Sequence, residues 1–319
     1  MKYPLSKNYG AGSILFGDEE RKELMDVLET GYLFRYGEDD DPNFQGKVYK
    51  FEREYAEYVG AEYCVATNSG TTSLLCALAA LGIGPGDEVI VPGYTYIASI
   101  SSIVNSRAVP VLAEIDESMT IDPEDIKKKI TPKTKAIMPV HMIGNPCRMD
   151  EIMAIAKEHG LYVIEDCCQC VGGSYKGKKV GTFGEIGCFS FNRFKTINCG
   201  DGGCMVTSDK DLYERAFAFQ DQGNVPLRKG TKEGPRTIMG LNYRMNELSG
   251  AACRGQLRRL DYIVSTLKKN KAMIKNELKK IDGVKFRVIN DEDGEINTLL
   301  TLQFDTVEKA DKFCRYIRI

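Results

Sequence analysis

Patterns typical of short buried strands alternate with helical patterns through the first two-thirds of the chain. Strand–helix–strand spacing of this kind requires crossover connections, and these join strands that run parallel in one sheet. The sequence therefore predicts an α/β fold with a mainly parallel sheet. The predicted strands are 88–92, 109–115, 136–141 and 161–166, and the predicted helices are 18–30, 70–81, 97–105, 122–130 and 149–159.

The pattern changes after Gly187. Two strands at 188–191 and 204–207 are joined by a turn that contains Lys195, and a long charged helix follows at 246–281. We predict a large domain over 1–245 and a small C-terminal domain over 246–319, against which the N-terminal segment 1–30 can pack. The small domain has weak strands at 284–289 and 298–304, and it is predicted to be incomplete because the sequence stops inside its last helical pattern.

Composition excludes several classes of protein. The 319 residues carry a net charge of −2, so there is no electrostatic case for binding nucleic acid. The longest apolar run, 74–81, is too short to span a bilayer, and the first ten residues lack the apolar centre of a signal peptide. Eleven cysteines in such a chain indicate a reducing compartment, so we expect a cytoplasmic protein without a membrane partner.

The cysteines show no spacing of a metal site. Cys167, Cys168 and Cys170 are clustered, but they lack the paired two-residue spacing of a zinc site, and only His141 and His159 could add a ligand. We interpret the cysteines as small packing residues and predict no metal.

Lys195 could be a surface charge, a phosphate ligand or a reactive amine. A phosphate-loop lysine follows its glycines and opens a helix, whereas here Gly200, Gly202 and Gly203 follow the lysine. Phe191 lies nearby in a turn between buried strands, together with Phe194 and Ile197. Such surroundings desolvate an amine, as a Schiff-base lysine requires, although a solvated lysine is the commoner case.

Three other features fit a cofactor of the pyridoxal type. Asp166 ends a buried strand, the segment 69–72 (SGTT) opens a buried helix, and Tyr96 follows the strand that ends at Pro92. Taken singly, these are a helix cap, an N-cap and core packing. Together they supply a carboxylate for a pyridinium nitrogen, an anion site at a helix N-terminus and a flat side chain for the ring.

Six further motifs occur along the chain: NSGT at 68–71, GDEVIVP at 86–92, EDxxQ at 165–169, SFxxxK at 190–195, GG at 202–203 and GLNYRMNE at 240–247. With these motifs the sequence resembles the DegT/DnrJ/EryC1/StrS family of sugar aminotransferases. The resemblance runs from about residue 10 to 315. It implies the aspartate aminotransferase fold (type I), with a mainly parallel seven-stranded sheet in the large domain, and pyridoxal 5'-phosphate as cofactor.

The resemblance assigns roles around the cofactor ring. It implies that Lys195 forms the Schiff base with the cofactor and that Asp166 pairs with the pyridine nitrogen. Gln169 is implied to lie near the ring and its phenolic oxygen. Tyr96 matches the aromatic residue that stacks on the ring.

The resemblance also assigns the phosphate ligands. Ser190, Gly70 and Thr71 match residues that bind the phosphate within one subunit. Asn242 matches an asparagine that reaches the phosphate from the partner subunit, which implies a homodimer with shared active sites.

The implied reaction moves an amino group from glutamate or glutamine to a nucleotide-linked or acidic keto sugar, for surface polysaccharide or secondary-metabolite biosynthesis. Within the family, the chain resembles enzymes that aminate an eight-carbon sugar acid of lipopolysaccharide. That branch has a histidine-rich segment where this chain has DQGNVP at 221–226, so the substrate is expected to differ. The basic residues suggested for contacts to the acceptor are Arg35, Arg193, Arg228 and Arg244.

Two other functions stay open on the sequence. Sugar dehydratases share this fold, but they carry histidine at the position of Lys195. A protein that binds the cofactor and never passes on its amino group is the second alternative. The identity of the sugar and of the preferred donor does not follow from the sequence.

Overall fold

The computed structural model describes residues 10–224, 228, 230–281 and 283–317. The main sheet has seven strands in the order β1-β9-β8-β5-β4-β2-β3, and two short hairpins, β6–β7 and β10–β11, lie outside it. The strands are β1 Tyr63–Thr67, β2 Glu88–Pro92, β3 Val109–Ala113, β4 Thr134–Ile137, β5 Tyr162–Asp166, β6 Ser174–Tyr175, β7 Lys178–Lys179, β8 Ile186–Ser190, β9 Gly203–Thr207, β10 Lys285–Phe286 and β11 Leu302–Gln303.

The helices connect the strands and complete the C-terminal part of the chain. They are α1 Ala11–Ile14, α2 Asp18–Thr30, α3 Lys47–Val59, α4 Gly70–Ala80, α5 Ile97–Asn105, α6 Pro123–Lys129, α7 Met149–His159, α8 Lys210–Gln220, α9 Glu247–Leu257, α10 Leu260–Leu278 and α11 Val307–Ile317.

The main sheet is mostly parallel, as predicted. Strands β3, β2, β4, β5 and β8 pair in parallel, whereas β9 pairs antiparallel with both β8 and β1. The connection from β8 to β9 is a direct one that holds Lys195, so β9 must run back along β8. Because the other strands run the same way, their carboxyl ends lie along one edge of the sheet.

Apolar cores cover both faces of the sheet. Strands β8 and β9 are buried along their whole length, and α4 packs on them through Leu74, Ala77 and Leu78. Burying a leucine side chain of this kind stabilises the fold by about 1.5–3 kcal/mol. The N-terminus of α4 is therefore held rigidly against the end of β8.

The long helix predicted over 246–281 is two helices. Helix α9 ends at Leu257, and α10 begins at Leu260. Side chains on both sides of the break bind the N-terminal segment: Gln256 donates to Glu20 at 2.7 Å, and Arg259 donates to the carbonyl of Leu15 at 2.6 Å. These contacts to distant residues favour a turn where the helical pattern of the sequence continues.

The predicted C-terminal strands are short. Strands β10 and β11 pair over two residues each, and the chain from 287 to 297 lies against residues 142–146 without regular structure. The division into domains at 245 and 246 stays a prediction. In the described part of the chain, no helix is both long and apolar enough to cross a membrane.

Candidate active site

The candidate site lies where strand ends meet a helix N-terminus. Strand β5 ends at Asp166 and β8 ends at Ser190, while β9 begins at Gly203 and α4 begins at Gly70. A Cβ on Gly70 would lie 2.6 Å from the Cβ of Ser190 and 2.9 Å from the Sγ of Cys168. Asp166, Ser190 and the start of α4 are thus brought together by the sheet.

Asp166 is buried and held by two hydrogen bonds. Its side chain accepts from the hydroxyl of Ser99 at 2.7 Å and from the backbone N–H of Cys168 at 3.1 Å. Thr95 lies 2.9 Å from the Ser99 hydroxyl, so a chain of hydroxyl groups leads to the carboxylate. A carboxylate held in this position can pair with a protonated ring nitrogen.

Ser99 is a functional candidate that the sequence analysis missed. It lies on α5, 67 positions before Asp166, and is buried. The sequence SISS at 99–102 offers several serines at a helix, and nothing in their spacing distinguishes the one that faces Asp166.

The N-terminus of α4 can bind an anion. Ser69 caps the helix by accepting the N–H of Thr72 at 3.2 Å. The N–H groups of Gly70 and Thr71 have no hydrogen-bond acceptor among the described residues, and neither does the hydroxyl of Ser190. These free donors at the positive end of a helix are the arrangement that holds a phosphate.

Gly203 is needed next to this helix end. A Cβ there would lie 2.5 Å from the carbonyl carbon of Ser69 and 2.6 Å from the nitrogen of Gly70. Glycine at 70 and 203 therefore lets the two backbones approach each other.

Lys195 lies in the connection between β8 and β9. Its side chain is half-buried, and its N–H donates to the carbonyl of Asn192 at 3.0 Å. Phe191 and Ile197 are buried as predicted, but Phe194 is exposed, so the lysine is less enclosed than its aromatic neighbours suggested.

The charges of Asp166 and Lys195 both influence the pKa of the Cys168 thiol. Burial raises the pKa of the Cys168 thiol well above its usual value, and the Asp166 carboxylate raises it further, while the Lys195 ammonium opposes the rise. Both charges therefore act on this half-buried thiol. Cys168 lines the site, whereas Cys167 and Cys170 are buried packing residues.

Gln169 and Tyr96 each lie three positions along the chain from a residue of the site, Asp166 and Ser99 respectively. Gln169 accepts the N–H of Ile143 at 3.1 Å through its Oε1 atom. Tyr96 is the N-cap residue of α5, and its side chain is 68% exposed. It lies on the same helix as Ser99, so its backbone is tied to the Asp166 side of the site.

Asn242 is exposed, and within the described residues no hydrogen bond joins it to the other predicted cofactor-binding residues. Its Oδ1 atom accepts the N–H of Arg244 at 3.4 Å. The neighbouring carbonyl of Tyr243 accepts the N–H of Asn68 at 2.8 Å, so this segment runs beside the residues that precede α4.

The four suggested substrate arginines differ in their surroundings. Arg35 is wrong as a substrate contact, because its side chain is buried and paired with Glu52 at 2.8 Å. Arg228 and Arg244 share the buried carboxylate of Asp221, at 3.2 and 2.7 Å. Arg193 is exposed and lies over the ring of Phe194.

A buried group of potential metal ligands is formed by His141, Glu165 and Cys167. The carboxylate of Glu165 accepts three backbone N–H groups, from Gly181, Phe183 and Gly184, and lies 3.2 Å from the His141 Nε2 atom. The Nδ1 atom of His141 accepts the N–H of Cys147 at 3.0 Å, so Nε2 carries the proton and donates to Glu165. These hydrogen bonds account for the group without a metal.

The residues at the site fit pyridoxal phosphate. The free N–H groups of Gly70 and Thr71 and the hydroxyl of Ser190 suit its phosphate, and the buried carboxylate of Asp166 suits its ring nitrogen. Lys195, in the connection that follows β8, offers an amine for covalent attachment.

Comparison with known proteins agrees with this fit. The chain is 43% identical over 248 residues to the GDP-perosamine synthase of Escherichia coli O157:H7. The matched residues cover 77% of this chain and 65% of the relative. It is 37% identical over 280 residues to the GDP-perosamine synthase of Vibrio cholerae, covering 88% of this chain and 72% of the relative. The chain thus spans about two-thirds of the length of these relatives.

Solved structures show the same fold. The structure of ntda from Bacillus subtilis with bound cofactor PMP matches with a TM-score of 0.80 and 28% identity, covering 98% of this chain and 70% of that one. The α/β fold of type I, the aminotransferase class and the pyridoxal cofactor are thereby confirmed for the family. The sequence pattern that defines the DegT/DnrJ/EryC1/StrS aminotransferase family matches residues 16–318, and the chain belongs to this family.

Proposed function

We propose that this chain transfers an amino group from glutamate or glutamine to the carbonyl carbon of a keto sugar. The observation that supports the proposal is the arrangement of three groups around the ends of β5 and β8. These are the amine of Lys195, the carboxylate of Asp166 and the free N–H groups at the start of α4.

Each of these groups has a defined task. Pyridoxal phosphate, when bound, supplies an electron sink for the reacting carbon. Lys195 holds the cofactor covalently and, once released, moves a proton as the mobile base. Asp166 keeps the ring nitrogen protonated, and Ser99 holds the Asp166 carboxylate in place.

The remaining predicted residues bind and orient. Gly70, Thr71 and Ser190 hold the phosphate, and Gln169 and Tyr96 contact the ring. Asn242 reaches the phosphate of a partner subunit, so the working unit is a homodimer. Asn242 is exposed, and within the described residues it has no hydrogen bond to the cofactor-binding residues of its own subunit, which supports this role.

We propose a nucleotide-linked keto sugar as the acceptor. The names of the GDP-perosamine synthases support this choice over an eight-carbon sugar acid. Arg228 and Arg244 are the basic residues suggested for its anionic part, and Asp221 fixes the orientation of both.

The proposal is tested by following the amino group with an isotope. The protein, loaded with cofactor, is incubated with ¹⁵N-labelled glutamate or glutamine, and then with a panel of nucleotide-linked keto sugars and keto sugar acids. Mass spectrometry should find the label in an amino sugar from a nucleotide-linked acceptor, and Lys195→Ala should give none.

Three outcomes would contradict parts of the proposal. Label in a sugar acid only would overturn the acceptor class. Loss of a hydroxyl group from the sugar without amination would indicate a dehydratase. Bound cofactor that never takes label from a donor would indicate a protein that binds the cofactor without turnover.

A further inference from the structure

We propose that Arg287 is a positioning residue for Gln169, acting through the turn Met142–Gly144. Arg287 belongs to the C-terminal part of the chain, outside the main sheet. The inference rests on the proposed function, because it gives Gln169 a task at the cofactor's phenolic oxygen.

Arg287 is buried and binds the turn directly. Its two terminal nitrogens donate to the carbonyls of Met142 at 2.9 Å and Ile143 at 2.7 Å. The second nitrogen also pairs with Glu295 at 2.9 Å, and Lys271 contacts the same carboxylate oxygen at 2.5 Å. Arg287 and Glu295 are each at least 97% buried. A planar guanidinium in such a pair has little freedom to turn.

The turn has a backbone conformation that needs outside support. Ile143 has φ 51° and ψ 40°, in the left-handed region, where a β-branched side chain is rare and strained. The next residue, Gly144, also has a positive φ, and a Cβ there would lie 2.4 Å from the Cγ1 atom of Ile296. The N–H of Ile296 donates to the carbonyl of Gly144 at 3.1 Å. The C-terminal part of the chain thus holds this turn at two points.

One peptide group connects Arg287 to Gln169. The carbonyl of Met142 and the N–H of Ile143 belong to the same planar unit and point in opposite directions. Arg287 binds the carbonyl side, and Gln169 Oε1 accepts the N–H side at 3.1 Å. If Arg287 is lost, the strain at Ile143 favours rotation of this unit, and the N–H leaves Gln169.

The orientation of Gln169 decides what it can offer. Because Oε1 accepts the Ile143 N–H, the amide NH₂ group lies at the other end of the side chain, where it can donate. A donor at that point suits a phenolic oxygen on the cofactor. A Gln169 side chain released from Ile143 could turn its oxygen to the same place and lose this interaction.

Lys271 offers a matched control. It is buried beside Arg287 and shares Glu295 with it, but its ammonium contacts neither carbonyl of the turn. Lys271→Met therefore disturbs the same ion-pair group and leaves the hold on Met142 and Ile143. Arg287→Met removes that hold.

The first measurement uses the protein without cofactor. Hydrogen–deuterium exchange of a peptide covering 139–147 should become about tenfold faster at the Ile143 amide in Arg287→Met, as expected from the loss of one hydrogen bond. It should stay unchanged in Lys271→Met. Equal exchange in Arg287→Met and the parent protein would overturn the proposal. If Arg287→Met does not fold, Arg287→Lys keeps the charge but lacks the fork that binds both carbonyls, and it should show the same change.

The second measurement follows the absorbance of the bound cofactor against pH. Arg287→Met and Gln169→Ala should shift the profile in the same direction, and the double variant should shift no further than Gln169→Ala alone. Additive shifts would show that Arg287 does not act through Gln169. Neither measurement depends on turnover. If both give the expected results but glutamate does not transfer its amino group, the proposed function is contradicted and the role of Arg287 is not.

Discussion

The carboxylate of Asp166 is proposed to set the electronic properties of the site. Asp166→Asn keeps the shape of the side chain and removes its charge, so the ring nitrogen would lose its partner. We expect the turnover number to fall at least about a hundredfold, the size of effect found when one preorganised electrostatic partner is removed. Steady-state kinetics with saturating cofactor would measure this. Near-normal turnover would refute the role of Asp166.

Ser99 holds Asp166 by a hydrogen bond to a charged group. Ser99→Ala should lower turnover by about tenfold or more, because such bonds contribute about 1.5–3 kcal/mol. Ser102→Ala is the matched control, since Ser102 is buried one turn later on α5 and donates to the Ser99 carbonyl rather than to Asp166. Equal losses in both variants would show that the effect comes from helix α5 and not from the carboxylate.

At the scale of elements, a group of ion pairs joins α2 and α9. Glu23 on α2 accepts from Arg254 at 2.7 Å and from Lys47 at 2.8 Å, and Arg258 lies 2.7 Å away. Burial alone would raise the pKa of Glu23, but the hydrogen bonds from Lys47 and Arg258 and the charge of Arg254 outweigh it and hold the pKa below its usual value of 4.5.

Glu23→Gln should lower the free energy of unfolding at pH 7 by about 3 kcal/mol, since it leaves partly buried cations without their partner. A lowered folded-state pKa stabilises the fold above the usual value, and this contribution is lost as the pH falls below 4.5 through the folded-state pKa. The difference in free energy of unfolding between Glu23→Gln and the parent protein should therefore become smaller as the pH is lowered from 7 to 3. Urea unfolding at each pH would measure it.

Glu277→Gln is the control for this measurement. Glu277 pairs with Lys280, and both side chains are exposed, so its loss should cost less than about 1 kcal/mol. A deficit in Glu23→Gln no larger than in this control would contradict the account of the α2–α9 contact.

The elements that the sequence revealed are those whose signals are local. Helices α2, α5 and α7 match their predicted ranges because their apolar periodicity and end signals lie within the helix itself. Helix α3 was not predicted. Its N-cap is Gly46, which has no side chain, and its first N–H groups, of Lys47 and Val48, donate to Glu247 about 200 positions away.

The residues of the site also divide into those with local sequence signals and those that depend on distant contacts. Lys195, Asp166 and the start of α4 follow from residue types placed at strand ends and a helix entry. Ser99 and the turn at Ile143 depend on contacts over long sequence separations. Arg35 is wrong as a substrate contact because the charge of a residue type does not show its burial. Such contacts are set by tertiary packing, which local sequence patterns do not reveal.

At the scale of the whole molecule, the proposed homodimer places Asn242 in the partner's site. Lys195→Ala and Asn242→Ala would then damage different halves of one site. Mixing the two inactive variants should restore part of the activity, because some mixed dimers hold one intact site. Chromatography of the mixture with distinct tags would establish subunit exchange. No recovery despite proven exchange would exclude shared sites.

Lys195 is the residue through which amino transfer is proposed to pass. The measurement is borohydride reduction of the cofactor-loaded protein, followed by peptide mass mapping, with and without prior addition of glutamate or glutamine. Without donor, the reduced cofactor should be attached to Lys195. With donor, this attachment should disappear, because the amino group has moved to the cofactor and Lys195 is free. Attachment to another lysine, or attachment at Lys195 that no donor removes, would contradict the account.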